Sequence, residues 1–179
     1  MPFFIKPRWL FATAILLCTP MIFAAMTGLQ DFKGNAQSLN DYKGKGKWTI
    51  VMMWASDCHV CNQEAHQYVD FHKKHSNKDA TVLGVSLDGA EKKTDAEGFL
   101  KKHTINFHNL SGEPTDVGAV YRDLTGDSVR GTPNFLIFSP DGDLRAQQVG
   151  AVPTDLIEQF MVSEAALIEQ EKAAKKASN

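Results

Sequence analysis

Eight consecutive positions over 48–55 are aromatic, β-branched, methionine or alanine. So dense an apolar run fits a strand covered on both faces, since a half-exposed strand would alternate with polar residues. Directly after it the period changes. Over 58–74, Ala65, Tyr68, Val69 and His72 recur at helical spacing, and charged and amide residues fill the other side. A second apolar strand is predicted over 81–87, followed by a helix over 96–103 that leads to the segment around Phe107. Strand, helix, strand, helix is the order of a parallel α/β sheet. Upstream, 29–38 reads as a short hairpin turning at Gly34-Asn35, and 41–47 as a polar connection. Downstream, Thr132-Pro133 opens a strand over 135–138. Pro140-Asp141-Gly142-Asp143 turns the chain, and 144–149 returns as an antiparallel partner. A last helix begins at Thr154, with Leu156, Ile157, Phe160, Met161, Ala165 and Ile168 expected on one buried stripe.

The N-terminus follows a different rule. Lys6 and Arg8 precede a run over 9–25 without a charged residue, and the small pair Ala24 and Ala25 ends it. That is the pattern of an export leader cleaved near Ala24. Its 17 residues also reach the lower limit of a spanning helix, roughly 17 to 25 residues, so an uncleaved anchor is the second reading. The expected organisation is therefore a signal peptide or anchor over 1–24, one domain over 25–163 and a helical, fraying tail over 164–179. No internal repeat or long linker divides the domain. An apolar share of 43% with 22% charged residues excludes a wholly disordered chain, and a net charge of -2 without a basic block argues against nucleic acid.

Three cysteines narrow the chemistry. Cys18 lies in the leader behind Leu16 and Leu17, without the small residue that precedes a lipidated cysteine. Cys58 and Cys61 remain, and two cysteines so close can act only locally, as a redox pair or as half of a metal site. A structural zinc site needs four ligands, and no second Cys-x-x-Cys or His-x-x-x-His accompanies this pair. His72 and His75 share a helical face but flank Lys73-Lys74, so they are expected to solvate a surface. A dithiol at a helix start has a specific property: unpaired amides and the positive helix end stabilise a thiolate and lower its pKa from about 8.5 into a range of roughly 3.5 to 7.5. Cys58, at the outer end, is the expected attacking thiol, and Cys61, one turn deeper, resolves the mixed disulfide.

The motif Trp54-Ala55-Ser56-Asp57-Cys58-His59-Val60-Cys61 is followed by Glu64 and, much later, by Gly131-Thr132-Pro133, Ser139-Pro140-Asp141-Gly142 and Val149-Gly150. In that order and spacing the chain resembles the TlpA/ResA branch of the thioredoxin superfamily from about Leu29 to Met161. The resemblance implies a thioredoxin fold, a central mixed sheet flanked by helices with an added N-terminal β-hairpin. It also implies a periplasmic or extracytoplasmic setting and thiol-disulfide exchange that needs no cofactor beyond the Cys58-Cys61 disulfide. By the same likeness Pro133 is cis beside Cys58, Thr132 and Trp54 join Pro133 in contacting the client, and Glu64 moves protons near the resolving thiol. The implied partners are client proteins with disulfides or thiols and a membrane electron carrier of the DsbD/CcdA type.

Three positions depart from that pattern: Asp57 stands where the family has an uncharged residue, His59-Val60 contains no proline, and His66 replaces a helix-kinking proline. Asp57 is expected either to cap the helix or to raise the Cys58 pKa by its charge, with a protonated His59 pulling the other way. Reduction of protein disulfides is the favoured direction, because relatives of this branch work as reductants. An oxidant or isomerase, a peroxidase and a Cu(I)-binding chaperone using the same pair remain as alternatives. The peroxidase lacks support, since Ala55 holds the place of a hydroxyl residue three before Cys58.

Overall fold

The computed structural model describes residues 28–177; the leader and its cleavage lie outside the described residues. A seven-stranded sheet runs in the order β2-β1-β5-β4-β3-β6-β7. Its strands are β1 (Leu29–Asp31), β2 (Ala36–Gln37), β3 (Trp48–Trp54), β4 (Ala80–Ser86), β5 (His108–Ser111), β6 (Asn134–Phe138) and β7 (Leu144–Val149). The central strands β3, β4 and β5 are parallel, whereas β6 and β7 continue the sheet antiparallel on one side. On the other side β1 joins β5 antiparallel, so the expected N-terminal hairpin extends that edge. The helices are α1 (His59–His75), α2 (Lys93–Lys102), α3 (Pro114–Thr125) and α4 (Thr154–Ala177).

All seven residues of β3 are buried because both of its faces are covered. Ile50, Met52 and Trp54 pack into one core with α1, α2 and α4, and Val51 and Met53 into another with α3. This alternation explains the unbroken apolar run, which a one-sided sheet would expose to water. Trp54 closes the first core. Its indole stacks on Phe99 at 4.2 Å between ring centroids and donates to Asn109 Oδ1 at 3.0 Å. The bond crosses directly over Gly84, where a Cβ would strike the Asn109 amide.

Several expectations change. Helix α3 gave no sequence expectation, although Pro114 sits at its start, Val117 and Tyr121 are buried four residues apart and Gly126 closes it in the left-handed conformation. In α1 the buried face is Cys61, Ala65, Tyr68, Phe71 and His75. In α4 only Ile157, Met161 and Ile168 are buried, while Leu156 is 53% exposed and Ala165 is exposed, because the helix rests on the sheet along a narrow line. The tail, expected to be helical, continues that helix to Ala177. It is tied down in part, since Arg145 pairs with Glu164 and Glu171, and Lys172 with Asp141.

Nor are the two histidines merely solvated. The C-terminal end of α1 lies over β4, and there His72 Nδ1 accepts the Val82 amide at 3.2 Å. His75 is buried against Phe71, with Nδ1 2.8 Å from Asp79 Oδ1 and Nε2 3.1 Å from Glu158 Oε1. The imidazoles thus join α1 to a strand and to α4.

Two outcomes follow from this packing. Tyr68 donates its hydroxyl to Val152 O at 2.7 Å from inside the core, and burial pushes its pKa well above the usual tyrosine range. Tyr68→Phe should cost about 1 kcal/mol, read from urea unfolding, and an unchanged midpoint would mean that water replaces the bond without loss. Burial, aided by His108 and Lys47, holds the His72 pKa below its ordinary 6.5. The folded chain therefore favours neutral imidazole, and this contribution is fully present above the unfolded value and lost as pH falls through the lower folded one. His72→Asn, which keeps an acceptor without a titrating ring, should flatten the loss of stability as the pH falls below the ordinary histidine value of 6.5. An equally steep loss in the variant would remove His72 as its source.

Candidate active site

Where β3 ends, the chain must turn sharply before α1 begins, and two side chains from elsewhere hold that turn. Asp88, only 8% exposed, accepts the Ser56 amide with both carboxylate oxygens, at 3.2 and 3.0 Å, and takes the hydroxyls of Ser56 and Ser86 at 2.8 and 2.7 Å. From the helix side, Asn62 Nδ2 donates to the carbonyls of Ser56 and Cys58 at 3.0 Å each. The Asn62 Oδ1 accepts Lys102 Nζ at 2.9 Å and lies 3.0 Å from His103 Nε2, which couples the turn to the end of α2. Neither Asp88 nor Asn62 was among the expected site residues. The only local signal was a polar residue directly after a strand and another directly after the second cysteine.

Held in this way, Cys58 is itself the cap of α1. Its backbone is extended, and its Sγ accepts the Cys61 amide at 3.0 Å. The two cysteines form a disulfide with their Cα atoms 5.2 Å apart. Cys61 is fully buried against the first core, whereas Cys58 is partly exposed. The outer cysteine is therefore partly open to solvent and the inner one is not. The capping role expected of Asp57 belongs to Cys58, because the sulfur and not the carboxylate stands over the first turn. Asp57 points outward instead, with Oδ2 2.8 Å from Lys92 Nζ. That hydrogen bond, together with the lysine charge, holds its carboxyl below the usual carboxylate range. His59 is exposed as the first residue of α1.

The Thr132-Pro133 peptide is cis. Asn134 pairs with Met53 in the β3–β6 register, so Pro133 stands level with Trp54, at the same end of the sheet as the cysteine turn. Gly150 donates its amide to Pro133 O at 2.9 Å, which ties the proline to the exit of β7. Thr132 is half-buried. Trp54 does not belong to this surface: it is 1% exposed, with its ring stacked on Phe99 and its indole nitrogen bonded to Asn109. Glu64, half-buried on α1, accepts a hydrogen bond from Gln67, whose amide oxygen takes the Thr154 amide at the start of α4. Among the described residues no group of three or more His, Cys, Asp or Glu side chains is placed to hold a metal.

This geometry can be set beside known proteins. The chain is 20% identical over 117 residues to the sporulation thiol-disulfide oxidoreductase A of Bacillus subtilis, covering 65% of this chain and 67% of that protein. To the thiol-disulfide oxidoreductase ResA of Geobacillus kaustophilus it is 22% identical over 135 residues, covering 75% and 72%. The crystal structure of the thioredoxin domain of a thiol-disulfide oxidoreductase from Bacteroides vulgatus superposes with a TM-score of 0.60 at 23% identity, covering 76% of this chain and 95% of that one. These likenesses support the TlpA/ResA pattern and the thioredoxin fold. Residues 23–147, which include the cysteine turn and the proline strand, match the model of the AhpC/TSA family, and the chain belongs to that family.

Proposed function

We propose that this protein is an exported thiol-disulfide oxidoreductase that passes electrons to protein disulfides through Cys58 and Cys61. The observation that carries the reading is the Cys61 amide aimed at the Cys58 sulfur, with Cys58 partly exposed and Cys61 fully buried. An amide that reaches the neutral sulfur meets a thiolate more strongly, so the same contact stabilises the nucleophile once the disulfide is reduced.

The reaction follows from that asymmetry. The Cys58 thiolate attacks one sulfur of a client disulfide, forms a mixed disulfide and releases the other client sulfur as a thiolate. Cys61 then loses its proton and attacks Cys58 Sγ, which reforms the Cys58-Cys61 disulfide and frees the second client thiolate. Two electrons pass to the client, and protons from Cys61 and solvent complete its two thiols. The backbone at Thr132-Pro133, where Thr132 is half-buried and the Pro133 residue buried, is the proposed contact for an extended client segment, and Glu64 the proposed proton relay to Cys61. The run over 9–25 behind Lys6 and Arg8 supports export. A membrane electron carrier of the DsbD/CcdA type would restore the dithiol. A Cu(I) chaperone would use the same sulfurs, but among the described residues no methionine or histidine motif reinforces them, since Met52 and Met53 are buried in β3.

The direction is tested by the reduction potential against glutathione: a value near about -270 mV is expected, whereas one near about -120 mV would make the protein an oxidant. Cys61→Ala should accumulate mixed disulfides on Cys58 that mass spectrometry identifies. If neither this variant nor the wild-type dithiol exchanges with any protein disulfide or with glutathione, the reading is lost. Glu64→Gln should change the pH profile of exchange without abolishing it, and an identical profile would take Glu64 out of the mechanism.

A further inference from the structure

A carboxylate directly before a nucleophilic cysteine is an obstacle. Like charge disfavours the thiolate, and in this chain the amide contact from Cys61 works against that repulsion. The structure answers it with a second residue from a different element. Lys92, the residue before α2, reaches across 35 positions of sequence to place Nζ 2.8 Å from Asp57 Oδ2. Both side chains line one pocket of about 360 Å³ that borders the cysteine turn. We propose that Lys92 is a positioning residue of the dithiol: by holding the Asp57 carboxylate in an ion pair, it keeps an uncompensated negative charge from acting on the Cys58 sulfur.

The pair is set in a fixed surrounding of charges. On α1 the exposed His59 follows Cys58. From α2, Asp95 and Lys102 line the same pocket, with Lys102 engaged by Asn62. His103 also lies on Asn62. Behind the turn, Asp88 is satisfied by the Ser56 amide and by the hydroxyls of Ser56 and Ser86. Lys92 is thus the one lysine of this pocket that meets a carboxylate flanking the nucleophile. The attraction also works in reverse, since Asp57 holds the Lys92 ammonium above its ordinary range. Both side chains are largely exposed, so the effect is that of a screened surface charge and is modest in size.

This proposal rests on the reading of Cys58 and Cys61 as an exchanging dithiol, and the experiment separates the two. Thiolate absorbance against pH and the equilibrium potential against glutathione are measured on the reduced wild-type protein and on Lys92→Met, Lys92→Arg and Asp57→Asn. Lys92→Met should raise the Cys58 pKa by roughly half a unit, which is about threefold less thiolate at a fixed pH below it, and should make the dithiol more reducing. Lys92→Arg should restore wild-type values, Asp57→Asn should lower the pKa, and the Lys92→Met/Asp57→Asn pair should return it toward wild type. The Lys92→Met shift should also shrink at high salt. A wild-type protein that exchanges normally beside a Lys92→Met variant with an unchanged or lowered pKa would overturn the role of Lys92 alone. A shift insensitive to salt, or one that persists in the double variant, would overturn it too, by marking a displaced loop. Failure of the wild type to exchange at all would instead sink the reading of the site.

Discussion

A helix that starts on a sulfur is the constraint around which this molecule is arranged. The first amides of any α-helix lack partners inside the helix, and an oxygen side chain ordinarily supplies one. Here the Cys58 Sγ takes that place, accepting the Cys61 amide, so the group that caps the helix is also the proposed nucleophile. The backbone must then be extended at Cys58 and helical at His59, and it must make that change within one residue of a tight turn.

Such a turn leaves backbone polar groups that neither strand nor helix can satisfy, and burying them unpaired would cost on the order of 1 to 3 kcal/mol each. Asp88 and Asn62 take up this demand from opposite sides. Asp88 is a buried carboxylate, and the amide of Ser56 and the hydroxyls of Ser56 and Ser86 converge on its two oxygens. Asn62 meets the carbonyls on the other flank and fixes its own oxygen through Lys102. The sulfurs therefore sit in a frame held by hydrogen bonds from two other side chains.

How far the sequence spoke for this arrangement depends on whether an interaction is local. The strand over 48–55 and the helix after it were legible because a covered strand and an amphipathic helix have different periods, and the junction between them is where the cysteines lie. Helix α3 was not read, since Gly118 dilutes a short stripe that Val117 and Tyr121 alone bury. The capping of α1 by Cys58 in place of Asp57 hinges on a rotation of about one residue, below what spacing resolves. Trp54 was expected to contact the client although it lies in a strand read as covered on both faces. Only the fold supplies Phe99 and Asn109 to enclose it. The same holds for His72 and His75, whose lysine neighbours suggest solvent while their own partners come from β4 and α4.

The strand order has one more implication. β3 is where the sheet changes sense, with a parallel neighbour in β4 and an antiparallel one in β6. At such a seam the exit of one strand and the entrance of the next share an edge, so the cysteine turn and the proline lie at one end of the sheet although 72 positions separate Cys61 from Pro133. The opposite edge carries the connection before β3 and the turn between β6 and β7, which touch each other where Gly46 donates to Pro140 O. Chain added or removed on that far rim would alter the outline of the molecule and leave the chemistry where it is, which makes the rim the natural place for this architecture to diversify.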